Sequence, residues 1–425
     1  MELRLDRLLN LLRDDTAAVL ARIDADPLLV KRTNGDLVLA NASKGLFSPV
    51  EPHQMFAKGI VYRRDPFRLV SLPLVKIFNL GERNVTAADI AALTDEARHS
   101  GIHFLRKMDG TLIQRFQDGG RVYFTTRGVL EGVRYTGAQD EDAPGRLSHF
   151  DFLGETRAAA ARHYPMLLDV VPEWDRFALL FEFLHPETRV VTDYGDRRDL
   201  VLIAAFDKAR VRYLPFRELT AFAEEHHLTG VGAYALHGHS LEEKIDDLRA
   251  RLTGTDEEGT VLTVEHGDEI AYRVKVKSAD YLRMLKLMVS CTYARTAEML
   301  DARPEWTTWE PFEAFLKSQG TESVPEEVLA EYRTHQETHL AYLRDCERLR
   351  TWAETEAVRI RGALPATDER AMRKAFAEVV KAHAAKPLLF AAFGGKLTIR
   401  SARDFTPTPD EARAAVGRLQ SEPDA

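Results

Sequence analysis

The sequence predicts an α+β domain followed by an all-α one. Short β-rich apolar runs, punctuated by helical stretches, continue to about residue 278. Asn34-Gly35 sits between two apolar runs, a strong hairpin signal. After Ser278 the apolar residues recur at three and four positions, the period of helices.

Taken in order, leucines at helical spacing from Leu3 to Ile23 predict an amphipathic helix. The hairpin follows, with Leu28-Leu29-Val30 and Leu37-Val38-Leu39 as its arms. Strands are expected at Gly59–Tyr62, Phe67–Val70, Leu112–Phe116, Val122–Phe124, Phe177–Phe183, Leu200–Ala204, Val211–Leu214, Val261–Val264 and Tyr272–Val276. Helices are expected near Ala87–His99, Arg157–Val171, Phe216–His227 and Leu241–Leu252. The irregular alternation argues for antiparallel hairpins rather than repeated βαβ units. Further on, Ser323-Val-Pro-Glu326 offers a capping box. Val328, Tyr332, His335, His339, Tyr342, Cys346, Leu349 and Ala353 then mark one face of a long helix, stopped by Gly362 and Pro365. Another helix is expected from Asp368 to His383. The domains are therefore placed at 1–278 and 279–405, with a tail at 406–425 that is loosely ordered apart from a short helix.

A chain of 425 residues is long enough for two domains, and 45 % apolar with 29 % charged residues fits a globular rather than a disordered protein. The two cysteines, Cys291 and Cys346, offer neither a disulfide framework nor zinc spacing, as expected in a reducing cytoplasm. The charged, periodic N-terminus does not read as a signal peptide, and no apolar run has the length of a membrane span, so a cytosolic protein is expected. A net charge of −8 excludes a non-specific nucleic-acid coat. It leaves room for a nucleic-acid enzyme with a local cationic pocket.

The chemistry centres on Phe104-Leu-Arg-Lys107-Met-Asp109-Gly110. A lysine at the end of an apolar segment, beside other cations, can shed its proton and act as a nucleophile. Alone, Lys-x-Asp-Gly also describes an ordinary hairpin turn. Three further motifs follow it in order: Phe181-Glu182-Phe183, Glu258-Gly259-Thr260-Val261 and Lys275-Val276-Lys277-Ser278. Strand alternation puts Lys275 and Lys277 on one face, a way to aim two cations at one phosphate.

In order and spacing these motifs resemble those of the nucleotidyltransferases shared by nucleic-acid ligases and capping enzymes. Lys58-Gly59-Ile-Val-Tyr62, Leu72-Pro73-Leu-Val-Lys76-Ile-Phe-Asn79, Leu180–Val191 and Val276-Lys277-Ser278-Ala-Asp280-Tyr281 are similar to the bacteriophage tRNA-repair RNA ligase family over most of residues 30–285. The likeness implies an ATP-grasp-like nucleotidyltransferase domain, with antiparallel sheets and flanking helices, before a helical domain. The cations Arg370, Arg373, Lys374, Lys381 and Lys386 can lay a basic stripe there, so that domain is expected to select RNA. It implies Lys107 as the lysine that carries AMP, and Lys275 and Lys277 on the α-phosphate. Lys76 would grip the β- and γ-phosphates, Glu258 would bind the metal, and Glu182 would bind the ribose or assist the metal. Asp109, Lys58 and Arg127 complete the implied nucleotide-binding set. Lys58 stands where the family usually has arginine and Arg127 where it has lysine, which keeps the charge and changes the donor geometry. The implied cofactors are ATP, as substrate, with Mg²⁺ or Mn²⁺. The implied partner is RNA with 5′-phosphate and 3′-hydroxyl ends, such as a nicked tRNA, acted on by a monomer away from membranes.

The alternatives are a DNA ligase or capping enzyme, a non-catalytic RNA-end sensor, and a protein-modifying adenylyltransferase. Nothing after Ser278 reads as the small β-barrel that DNA ligases and capping enzymes append. Three other clusters read as structural. His226-His227 and His237-Gly-His239 lack metal spacing, Trp306 and Trp309 read as helix core, and Gly394-Gly395 reads as a helix stop.

Overall fold

A computed structural model describes residues 4–43, 51–82, 90, 99–131, 150–319, 324–365 and 368–421. The chain divides into two compact units, Met1–Leu285 and Lys286–Ala425. The division falls inside the helix Ala279–Val289 rather than ahead of it, because the first turns of that helix pack with the first unit.

The first unit is α+β, and nearly all its strand pairing is antiparallel. One sheet is the meander β1 (Leu29–Asn34), β2 (Leu37–Ala42), β3 (Lys58–Arg64) and β4 (Phe67–Ser71). The expected turn closes β1 on β2, with Asn34 opposite Leu37 and Gly35 at φ +61°. A second sheet runs β5 (Phe78–Asn79), β13 (Glu269–Lys277), β12 (Gly259–His266), β6 (His99–Arg106). A third runs β11 (Arg212–Tyr213), β10 (Asp199–Asp207), β9 (Phe177–Leu184), β7 (Thr111–Asp118), β8 (Arg121–Thr126). Two apolar cores lie in this unit, one spanning Leu5 to Val276 in sequence and one built around Phe181, Phe183, Leu200 and Trp174. Apolar burial on this scale is the main force holding the sheets together.

Several expectations change in detail. The N-terminal helix is two, Leu5–Asp14 and Thr16–Ala25, because Asp15 leaves helical geometry and caps the second by accepting from Ala18 N–H at 2.9 Å. The helix expected over Arg157–Val171 is Phe152–His163, and Pro165 opens a separate short 3₁₀ turn. The helix expected near 87–99 lies, apart from Ile90 and His99, outside the described residues, and His99 opens β6. Ser323 of the expected capping box also lies outside them, and Pro325 is the N-cap of the long helix.

The second unit is helical in its described residues. Its axis is the helix Glu326–Ala363, which buries Val328, Tyr332, His339, Tyr342, Cys346, Leu349 and Ala353 on one face. Around it pack Lys386–Phe393, Ile399–Phe405 and Pro409–Ser421. The short helix expected in the tail is Pro409–Ser421, and it takes up most of the tail's described residues. Ala412, Ala415 and Val416 form a small apolar stripe buried in the core of this unit. Tertiary burial makes up for modest local helical preference.

Candidate active site

Lys107 stands where the chain leaves one sheet for another. Its N–H donates to Gly259 O at 2.9 Å, extending the β6–β12 ladder by one residue. Four residues later β7 begins in the third sheet. The intervening turn is pinned by Asp109, which is buried. Asp109 Oδ2 accepts from Val191 N–H and Thr192 N–H, each at 2.9 Å, and Oδ1 accepts from Tyr281 Oη at 2.8 Å. The Asp109 N–H in turn donates to Tyr194 Oη at 3.0 Å.

Glu258 precedes β12 and its side chain is almost fully covered. One oxygen pairs with Lys107 Nζ and the other with Lys277 Nζ at 2.8 Å, so one carboxylate bridges two lysines. The close approach depends on Gly259, whose φ is +145° and opposite which lies Lys277. A Cβ there would come within 2.2 Å of Val276 O, so no other residue fits without backbone displacement. Lys275 lies on the same strand face as Lys277. Burial, then the charges of Lys107 and Lys277, push its pKa down to about 8. Lys76 adds to the same field from beside Phe78 in β5, which pairs in parallel with β13 and sets Asn79 opposite Lys275.

Glu182 on β9 accepts from Gly110 N–H at 3.0 Å. Burial raises its pKa to about 7; Lys107 opposes that rise, while Glu258 and Asp109 add to it. Two neighbouring carboxylates that repel each other, supplying only hard oxygen donors, suit a divalent cation of the magnesium class.

The structure therefore gathers Lys76, Lys107, Asp109, Glu182, Glu258, Lys275 and Lys277 into one region. Lys58 and Arg127 form a second locus. Gly59, at φ +101°, lies so close to Arg127 that a Cβ would meet its Cα and O at 3.0 Å. Gln114 secures the junction, donating to Gly59 O and accepting from Ser71 Oγ, both at 2.7 Å.

Sequence reasoning gave no role to Tyr194, Tyr281 or Arg273. Arg273 lies two residues before Lys275, on the same strand face, with its guanidinium 4.6 Å from the Tyr213 ring centre. The period-two pattern that paired Lys275 with Lys277 would have found it. No local pattern marks the tyrosines, whose partners are distant in sequence. The three clusters read as structural behave so: Trp174 Nε1 donates to His226 at 3.2 Å, Trp306 packs on Phe312 and Phe315, and Gly395 ends a helix at φ +64°.

A segment of 119 residues, 27 % of this chain, is 33 % identical to RNA ligase 1 of bacteriophage TS2126. No family model matches the chain. The chain spans about 28 % of the length of that curated relative. Among solved structures it is similar to an archaeal ATP-dependent RNA ligase at 12 % identity and a TM-score of 0.41, covering 88 % of this chain and 89 % of that one. It is also similar to a Naegleria gruberi RNA ligase with AMP and Mn at 15 % identity and a TM-score of 0.35, covering 50 % and 58 %.

Proposed function

We propose that the chain is an ATP-dependent RNA ligase acting through a lysyl-AMP intermediate on Lys107. The observation that carries this reading is the Glu258 carboxylate shared by Lys107 and Lys277, beside Lys275, whose pKa burial and the neighbouring lysines lower. A lone lysine on a turn would be unremarkable. A lysine held on a buried carboxylate, amid three more cations, is placed to meet a polyphosphate.

In the first step Lys107 Nζ, having lost a proton, attacks the α-phosphorus of ATP. An N–P bond forms, the P–O bond to the β-phosphate breaks, and pyrophosphate leaves. Lys275 and Lys277 stabilise charge on the α-phosphate oxygens, and Lys76 does so on the leaving group. Next an oxygen of the RNA 5′-phosphate displaces Lys107 from the AMP phosphorus, and the amine regains a proton. Finally the 3′-hydroxyl oxygen, giving up its proton to solvent, bonds to the activated 5′-phosphorus as the P–O bond to AMP breaks and AMP departs. Glu258 and Glu182 would hold Mg²⁺ or Mn²⁺, which when bound supplies charge neutralisation for the phosphates. Asp109 serves the site indirectly, since its oxygens hold the turn that carries Lys107. Lys58 and Arg127 are proposed as further phosphate contacts, and the helical unit as the part that selects RNA, such as a nicked tRNA.

The test is incubation with α-labelled ATP and a divalent cation, then with 5′-phosphorylated RNA or DNA carrying 3′-hydroxyl ends. Label that moves from ATP to protein, then to an RNA–adenylate, with sealing of RNA in preference to DNA, is the expected outcome. Unlabelled protein, or label unaffected by Lys107→Ala, overturns the reading.

A further inference from the structure

In the helical unit, Cys291, Glu331 and His335 form the one group of three or more metal-ligating side chains that meets among the described residues. The ligand atoms all lie within 4.8 Å of one another. Two of them come from one helix face: Glu331 and His335 are four residues apart on Glu326–Ala363, so their side chains are adjacent, with Nε2 and Oε1 at 3.9 Å. The third comes from the short connection between the helices Ala279–Val289 and Tyr293–Asp301. That connection is firmly placed. Cys291 N–H donates to Met288 O at 3.1 Å, and Thr292 caps the next helix by accepting from Arg295 N–H at 3.3 Å. Its sulfur lies 3.8 Å from Val328 O, one turn before Glu331. The Tyr293 ring meets the His335 imidazole edge-on at 6.3 Å, and Tyr332, between the two ligand-bearing turns, fixes the helix by donating to Leu287 O at 2.7 Å. All three ligand residues are half-buried, so a cation from solvent can reach them.

We propose that Cys291, Glu331 and His335 bind a zinc ion that clips this connection to the long helix, with a water as fourth ligand. A thiolate, an imidazole and a carboxylate form a borderline-soft set that suits zinc and not magnesium or calcium, which take all-oxygen shells. Zinc bonds of about 2.0–2.3 Å would hold the ligand atoms about 3.3–3.8 Å apart in a tetrahedron. The ligand atoms, within 4.8 Å of one another, need to draw together by roughly an ångström to reach those separations. Binding requires the Cys291 thiol to lose its proton to solvent, because the thiolate is the zinc ligand. This site is separate in sequence and chemistry from the carboxylates beside Lys107.

The test uses the full chain, reduced and freed of metal, with Co²⁺ as the spectroscopic probe and Zn²⁺ as competitor. One equivalent of Co²⁺ should produce a near-ultraviolet thiolate charge-transfer band and visible bands of tetrahedral intensity, both displaced by one equivalent of Zn²⁺. Cys291→Ser should abolish the charge-transfer band while the folded circular-dichroism signal persists. His335→Gln and Glu331→Gln should each weaken Zn²⁺ binding at least 10-fold, on the scale of the loss of a ligand or its support. Lys107→Ala should change nothing in these spectra, which separates this proposal from the ligase reading. A chain that shows no charge-transfer band, or a band that survives Cys291→Ser, overturns the proposal. The second outcome would assign the thiolate to Cys346, which is fully buried.

Discussion

Tyr281 donates its hydroxyl hydrogen to Asp109 Oδ1 at 2.8 Å, joining the helix after β13 to the turn that carries Lys107. The same ring lies 5.1 Å beneath Lys277 Nζ. One tyrosine thus touches both the turn of the proposed nucleophile and one of the cations proposed to bind phosphate.

Tyr281→Phe keeps the ring under Lys277 and removes the hydrogen bond, leaving Asp109 with its two backbone donors. We expect roughly 10-fold slower lysyl-AMP formation and about 1 kcal/mol less stability, the size of one buried hydrogen bond. Asp109→Ala strips three donors at once and should cost several times more stability. Rapid-quench adenylylation and urea unfolding measure the two effects, and equal losses in both variants would remove Asp109 as the anchor.

On the proposed mechanism, Lys275 should govern the alkaline limb of adenylylation. Its pKa is about 8 in the fold against 10.5 for an ordinary lysine, so its charge is lost as pH rises through 8. The apparent second-order rate constant for adenylylation should therefore fall above pH 8. Lys275→Ala should lower it roughly 10²-fold, as removal of a charge-stabilising donor does. Lys275→Arg should be slower near neutrality because the donor geometry differs, yet show no fall near pH 8, since guanidinium stays protonated. A pH–rate profile for the three proteins checks this.

Glu182 is destabilising when ionised. In the unfolded chain it titrates near 4.5 and in the fold near 7. Between those values the native state keeps a proton that the unfolded state has released, so the stability tied to this group falls as pH rises through 7. Glu182→Gln should then raise the metal-free Tm over that of the parent by more at pH 8 than at pH 5. It should also reduce metal-dependent adenylylation at least 10-fold. Thermal melts at the two pH values test the first claim and labelling the second.

Arg370, Arg373 and Lys374 are exposed on the helix Glu369–Val379, while Phe376 is buried on its inner side. Spacings of three and four residues line these cations up along one face. Charge reversal at Arg373 and Lys374 should leave lysyl-AMP formation intact and erase preference for a nicked stem-loop over a single strand. Sealing assays with both RNAs decide it, and unchanged preference would take RNA selection away from this face.

Much of the architecture was legible in the sequence because it follows from local periodicity. The hairpin at Asn34-Gly35, the alternation of β13 and the buried face of Glu326–Ala363 are patterns of neighbours. The order of the motifs around Lys107, Glu182, Glu258 and Lys275 could likewise be read along the chain. What only the tertiary structure decided are relations between residues far apart in sequence. The break at Asp15 is the local exception: its side chain can serve either inside a helix or as a cap, and here it caps Ala18 N–H three residues on. The C-terminal stretch became the helix Pro409–Ser421 because Ala412, Ala415 and Val416 found a core to enter. Glu258 became the shared partner of Lys107 and Lys277, and Asp109 took Val191, Thr192 and Tyr281. Side-chain type limits which partners are possible, but close packing of the folded sheets selects among them, and that selection has no local signal.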